Sequence, residues 1–229
     1  MRRCPEPELM NEPDQVIAYS NADFSSGDDS VIERLSDLID QSSTILSEAS
    51  LILDLGCGPG NISERLAVRW PLSRVIGLDG ASSMIDIANQ RLHGLRPAIT
   101  NLTYLLFDLS HNSHDRISQV NNASVIVSNS LLHHLHEPQV LWALVKNLAG
   151  PATFMLHRDL RRPSNEQAVT ALCDRYVSNA PSVLQRDFRA SLNAAFTADE
   201  VRDQLDDAGL GQFTVMEIGD RYLEVFGQF

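Results

Sequence analysis

The segment that runs from Leu51 through Asp54 to Gly56, Cys57, Gly58, Pro59 and Gly60 limits this chain to few folds. A short apolar run breaking into glycines at alternate positions describes a buried strand whose backbone turns sharply, with no side chains to keep a ligand off the main chain. The spacing separates the nucleotide-binding loops from one another. In the dinucleotide fingerprint the third glycine stands three places after the second, where this chain has Asn61; here it stands two places after, at Gly60. A phosphate-cradling loop would end in Gly-Lys-Ser or Gly-Lys-Thr, and this one does not. A carboxylate suited to ribose hydroxyls is expected about 20 residues further on, and Asp79 closes the run Ser73-Arg74-Val75-Ile76-Gly77-Leu78.

From residue 51 onward, short apolar runs alternate with amphipathic stretches, which predicts a parallel sheet covered on both faces. Strands are expected near 50–55, 74–79, 102–107, 123–128 and 152–157, with helices starting at Asn61, Ser82 and Pro138. Helical patterns follow Ser164 and Pro181, Thr197 and Glu200 frame a capping box for a helix ending at Gly209, and residues 212–226 read as a hairpin about Gly219 and Asp220. Residues 161–196 then form an insertion that roofs the crevice at the strands' carboxyl ends. At the other end of the chain, residues 1–14 are rich in Pro and Glu and read as loosely ordered, residues 19–27 as a loop, and Ser30 with Glu33 as the capping box of a first helix.

Four stretches together resemble the class I S-adenosylmethionine-dependent methyltransferases. They are Asp54 to Gly60, Gly77 to Met84, Phe107-Asp108-Leu109, and Ser128-Asn129-Ser130 running into His133, His134 and Leu135. The resemblance covers roughly residues 48–160 and implies an α/β, Rossmann-like, doubly wound, mainly parallel seven-stranded sheet with an antiparallel last strand. One methyltransferase domain over 1–229 is expected, divided into an N-terminal lid segment (1–47), a cofactor-binding core (48–160), the roof (161–196) and a closing helix and β-hairpin (197–229). The resemblance also implies S-adenosyl-L-methionine as cofactor: Gly56, Gly58 and Gly60 face its methionine part, Asp79 binds the ribose hydroxyls, and Asp108 reaches the adenine amino group. Asp54, Cys57, Asn61, Gly80, Met84, Leu109, Asn129 and Ser130 complete the implied cofactor set. Many relatives begin strand four with aspartate, where this chain has Ser124 after Ala123. An N-terminal segment in this family often folds over the cofactor, which makes Tyr19 and Phe24 candidates for the pocket, or else for simple core packing.

Methyl transfer from a sulfonium is an in-line displacement, so the protein must chiefly align the partners and exclude water. A hydroxyl or protonated amine acceptor also needs a base, and histidine matches that task at neutral pH. His133 or His134, at the end of strand four, is the expected base, with Asp159 orienting it or touching the acceptor. His133 and His136 lie three apart, but no third ligand stands at a suitable spacing, so no metal is expected. Cys57, among glycines, reads as a small packing residue and not a nucleophile. A small-molecule methyltransferase transferring to O, N or C is the leading function. The alternative is an enzyme that binds the same cofactor but catalyses a cyclisation or rearrangement.

Charge narrows the substrate. The 229-residue chain carries a formal net charge of −12, which argues against a nucleic-acid partner. Residues 151–190 run the other way, with six arginines against four acids. From them Arg158, Arg186 and Arg189 are candidates to hold an anionic acceptor through forked hydrogen bonds, or else belong to a solvated helix face. The three cysteines have no CxxC spacing, no apolar run reaches membrane-spanning length, and no signal peptide is evident. A cytoplasmic chain, monomeric or homodimeric and without membrane contact, is the expectation.

Overall fold

The computed structural model describes residues 1–10, 12–42, 44–108 and 120–229. Its strands are β1 (Leu51–Leu55), β2 (Arg74–Asp79), β3 (Leu102–Leu106), β4 (Ala123–Asn129), β5 (Ala149–Leu160), β6 (Thr214–Ile218) and β7 (Tyr222–Gln228). They form one sheet in the order β3-β2-β1-β4-β5-β7-β6. The first five pair in parallel, and β7 runs antiparallel to both β5 and β6. This is the expected mixed seven-stranded sheet.

Alternation along β1 shows how the sheet is covered. Leu51, Leu53 and Leu55 join Trp142, Leu148 and Leu205 in one apolar cluster, whereas Ile52 joins Leu35, Leu66 and Val75 in another. The first cluster is roofed by α5 (Gln139–Leu148) and α8 (Ala198–Asp207), the second by α2 (Ser25–Asp40), α3 (Asn61–Arg69) and α4 (Ser82–Gly94). Each large aliphatic side chain so buried contributes about 1.5–3 kcal/mol. The remaining helices, α1 (Pro13–Asn21), α6 (Glu166–Tyr176) and α7 (Ser182–Ala194), lie outside these two layers in sequence: α1 precedes the sheet, and α6 and α7 make up the insertion after β5. The order reverses between β1 and β4, and ligands in open α/β sheets bind in the crevice at such a reversal.

The N-terminal region differs from its sequence reading. Residues 13–21 are helical, and α2 begins at Ser25, so Ser30 lies inside a helix and caps nothing. Its hydroxyl instead accepts a hydrogen bond from Arg158 Nη1 at 3.0 Å. A Ser-x-x-Glu pattern fits a helix interior as well as its start, and here the tertiary partner decided. The first ten residues, expected to be loose, are docked: Arg3 donates to the carbonyls of Ala194, His133 and Leu135 at 2.5, 3.0 and 2.8 Å, and its guanidinium lies 3.9 Å from the Phe196 ring centre. Lack of periodicity conceals a strap that is held by polar contacts. At the insertion, Asn165 and not Ser164 caps α6, by accepting from the Ala168 amide at 2.9 Å. The Thr197–Glu200 capping box of α8 is formed as expected. Among the described residues no helix is long and apolar enough to cross a membrane.

Candidate active site

The turn after β1 is built on positive backbone φ at Gly56 (+70°), Gly58 (+53°) and Gly60 (+92°). The reasons differ. A Cβ on Gly56 would strike Leu131 and one on Gly60 would strike the Tyr104 hydroxyl, whereas one on Gly58 would meet nothing within 4 Å. Gly58 is therefore open on the side where the main chain borders a cavity of about 1120 Å³. The Asp79 carboxylate accepts hydrogen bonds from the Gly58 and Ala81 amides, both at 2.8 Å. Burial pushes this carboxyl up from its usual value, against the pull of those amides. Asp79 thus braces the glycine loop as well as facing the cavity.

Of the residues implied for the cofactor, Asp54, Gly56, Cys57, Gly58, Asn61, Asp79, Gly80, Met84, Asp108, Asn129 and Ser130 line this one cavity. Gly60 stands behind it as the N-cap of α3, and Leu109 lies outside the described residues. The set fits an adenosyl ligand. An open glycine backbone, a carboxylate at the end of β2 and another after β3 follow one wall in sequence order. Cys57 is buried, and desolvation raises its thiol well above the usual value, so it is inert as a nucleophile, as its setting among glycines suggested.

Asp54 has a structural task. It points to the α3 side of the sheet and accepts from Ser63 Oγ at 2.6 Å, and burial lifts its carboxyl to about 7. The folded state then holds a proton that the unfolded chain releases near the ordinary aspartate value. Stability should fall as pH rises from about 4 to about 7, by up to about 1.4 kcal/mol per unit, and level off above. Asp54→Asn removes this slope. Denaturant midpoints measured between pH 5 and 8 should show the variant gaining on the wild type as pH rises, and parallel profiles would disprove the assignment.

The part of the cavity lined by His133 and His134 combines two strand ends with the strap. After β4 the chain passes through Ser130, at φ +58°, into a single 3₁₀ turn, Leu132–His134. Asp159, near the end of β5, reaches under that turn. Its Oδ2 accepts from the Leu132 and His133 amides at 2.5 and 3.3 Å, and its Oδ1 accepts from the Leu160 amide at 2.6 Å and hydrogen-bonds His133 Nδ1. Burial would raise the Asp159 carboxyl, but His133 and the other histidines bring it down to about 2. Burial would likewise lower His133, yet Asp159 and Glu6 prevail and hold its imidazole above the usual value. His134 goes the other way, to about 3, through desolvation and its charged neighbour. His133 and His134 line the cavity and Asp159 does not, so of its two expected tasks Asp159 is placed for orienting and not for touching an acceptor. His157 faces away. Its Nδ1 meets Ser128 Oγ at 2.5 Å and its ring sits edge-on to Trp142.

Tyr19 and Phe24 both line the cavity, their ring centres 4.8 Å apart. The arginines behave differently from the anion-binding expectation. Arg158 lines the wall but is committed to Glu224, donating from Nε at 2.9 Å and Nη2 at 2.6 Å. Arg186 pairs with Asp187 and Arg189 with Glu166, both with exposed guanidinium groups away from the cavity. The excess of basic residues in 151–190 is met by acids from elsewhere in the chain, such as Glu217 for Arg161 and Glu200 for Arg162, which composition by segment cannot show. What the insertion gives the cavity is mostly apolar: Tyr176, Val177, Leu184 and Phe188, facing Tyr222 and Arg221 from β7 and the turn before it. Leu9 and Met10 from the strap and Asp28 from α2 are among the lining residues that sequence reasoning missed. Asp28 carried a usable signal, since it is an acid on the buried side of the Val31–Leu35–Ile39 stripe.

An open α/β sheet with its glycine loop, a carboxylate closing β2 and a cavity at the strand reversal defines the class of adenosyl-cofactor-binding Rossmann-like proteins. Residues 52–150 match a family model described as "Methyltransferase domain". A trans-aconitate 2-methyltransferase from Paracidovorax citrulli is 55% identical over 47 residues, 20% of this chain and 18% of that protein. A malonyl-[acyl-carrier protein] O-methyltransferase from Bacillus cytotoxicus is 31% identical over 130 residues, 52% of this chain and 42% of that one. These matches span less than half the length of the curated relatives. Among solved structures, an S-adenosylmethionine-dependent methyltransferase from Aquifex aeolicus superposes with a TM-score of 0.64 at 17% identity, over 96% of this chain and 99% of that one. A plantazolicin methyltransferase in complex with S-adenosylhomocysteine and a pentazolic desmethylPZN analogue gives 0.74 at 15% identity, over 94% and 90%. Residues 52–150 thus match a methyltransferase domain, and the whole chain shares the fold of solved S-adenosylmethionine-dependent methyltransferases.

Proposed function

We propose that this chain transfers a methyl group from S-adenosylmethionine to an oxygen, nitrogen or carbon atom of a small molecule. The observation that carries the reading is the continuity of the cavity, which joins the glycine loop to His133 and His134. Gly58 and its neighbours would admit the methionine part, Asp79 the ribose hydroxyls, and Asp108 with Met84 the adenine. When bound, the cofactor supplies an electrophilic methyl group on sulfur. The chain's own residues align the acceptor, exclude water beneath the strap and the insertion, and handle the acceptor's proton. His133 suits the last task, because Asp159 holds Nδ1 and stabilises the imidazolium that forms when Nε2 takes a proton. Tyr176, Leu184, Phe188 and Tyr222 favour an acceptor with an apolar or aromatic body, and Arg221, stacked 3.4 Å from the Tyr176 ring centre and 3.6 Å from Asp220, lines the same part of the cavity. The net charge of −12 supports a small-molecule substrate over a nucleic acid. The same reading has the protein working in the cytoplasm as a monomer or homodimer.

Cofactor binding is the first test. A ligand at a hundred times its dissociation constant stabilises a fold by about 2.7 kcal/mol, enough for a clear rise in melting temperature. S-adenosylmethionine and S-adenosylhomocysteine should both produce it. Asp79→Ala should weaken both by at least about tenfold, since hydrogen bonds to a charged group are each worth about 1.5–3 kcal/mol. A melt that responds to NAD and to neither adenosyl ligand would overturn the assignment. Release of S-adenosylhomocysteine on addition of an acceptor then tests the transfer itself.

A further inference from the structure

We infer that Glu6, His133 and His134 form a binding site for one divalent transition-metal ion, with zinc the best match. The sequence pairs His133 with His136 and offers no third ligand. The fold rearranges this. His136 is turned away, its Nε2 2.8 Å from the Glu6 carbonyl and its amide donating to the Glu8 carboxylate at 2.8 Å. The strap brings in the side chain of Glu6 instead, from the far end of the chain.

The geometry suits an ion. Glu6 Oε1 stands 3.4 Å from His133 Nε2 and 3.3 Å from His134 Nδ1, and the three donor atoms lie within 4.8 Å of one another. Tetrahedral zinc with bonds of about 2.0–2.1 Å places its donors about 3.3 Å apart. Two of the three edges already have that length. The donors are also available: His134 Nδ1 is buried without a hydrogen-bond partner, and the ring's hydrogen bond is to the backbone of Pro7.

The surroundings hold the donors in place. His133 Nδ1 is bound to Asp159, which three amides fix, so Nε2 is left facing Glu6. A carboxylate on the far nitrogen of a metal-ligating histidine is the usual way such a ring is oriented and made more basic. Ser191 Oγ donates to both Glu6 oxygens, at 3.0 and 3.3 Å. Two imidazoles and one carboxylate suit zinc and its borderline neighbours, whereas calcium and magnesium require oxygen ligands. Both histidines line the cavity.

The inference does not depend on methyl transfer, although it shares His133 with that reading. An ion would occupy the Nε2 lone pair assigned above to the acceptor's proton, so metal-loaded and base-competent states exclude each other. The test uses the full chain, stripped with a chelator and titrated with Zn²⁺ by calorimetry and with Co²⁺ as a spectroscopic probe. One ion per chain and the intense visible bands of four-coordinate Co²⁺ are expected. Altering only the groups that orient metal ligands costs about 10–100-fold in affinity, so Glu6→Gln and His134→Ala should each cost at least about 100-fold. His136→Ala should keep the Co²⁺ spectrum. A melting shift with S-adenosylhomocysteine in each variant verifies that it is folded. No stoichiometric binding by the wild type, or unchanged binding by folded Glu6→Gln and His134→Ala, would overturn the site. One-to-one binding with no effect on turnover would leave the site standing and remove His133 as the base.

Discussion

Glu224→Ala is expected to destabilise the fold by about 3–5 kcal/mol, the range for breaking a buried ion pair by removing one partner. Glu224 is fully buried on β7, where it accepts from Arg158 Nε and Nη2 and, at 3.0 Å, from Arg34 Nε of α2. Without the carboxylate, Arg158 keeps its hydrogen bond to Ser30 and is left as a buried cation without a counter-charge from Glu224. The loss is a large part of the 5–15 kcal/mol by which domains are usually stable. For a chain of this size the melting temperature should drop by roughly 10 °C. Glu224→Gln keeps an acceptor and should lose less. Chemical denaturation of the three proteins settles the matter: near-equal midpoints would show that water or another acid replaces Glu224, and would free Arg158 for a substrate after all.

Glu224 also marks the limit of what this sequence discloses. Its period-two position on a strand beside Leu223 and Val225 predicts the strand correctly and gives no hint that its partner lies 66 residues away. Local physics made the sheet legible. Alternate glycines, apolar runs and the Thr197–Glu200 box each depend on neighbours within a few residues, and each stands where expected. The cavity wall proposed for the cofactor is legible for the same reason, because it is built from the ends of successive strands. The acceptor end draws on the strap, the 3₁₀ turn, β5 and the insertion at once. Whether Arg186 is bound to Asp187 or to a ligand, and whether Glu6 meets two histidines that follow it four strands later in the sequence, follows from tertiary placement that no spacing rule encodes.

His133→Ala should lower methyl-transfer turnover by about 10² to 10⁴, the usual range for a general base, while affinity for S-adenosylmethionine changes little. Cofactor affinity is spared because His133 belongs to the acceptor end and the adenosyl wall is formed from the ends of β1, β2 and β3. His134→Ala should cost less, since burial and its charged neighbour hold that imidazole down to about 3, too weak a base to take a proton near neutrality. Asp159→Asn should approach the His133 loss, because it leaves the ring without the carboxylate that fixes its tautomer and stabilises its charged form. Glu6→Gln separates the base from a metal site. It leaves the His133–Asp159 pair whole, so turnover by chelator-treated enzyme should persist if His133 is the base. Equal turnover by wild type and His133→Ala, with a neutral acceptor that must lose a proton, would reduce the pair to a brace for the turn after β4.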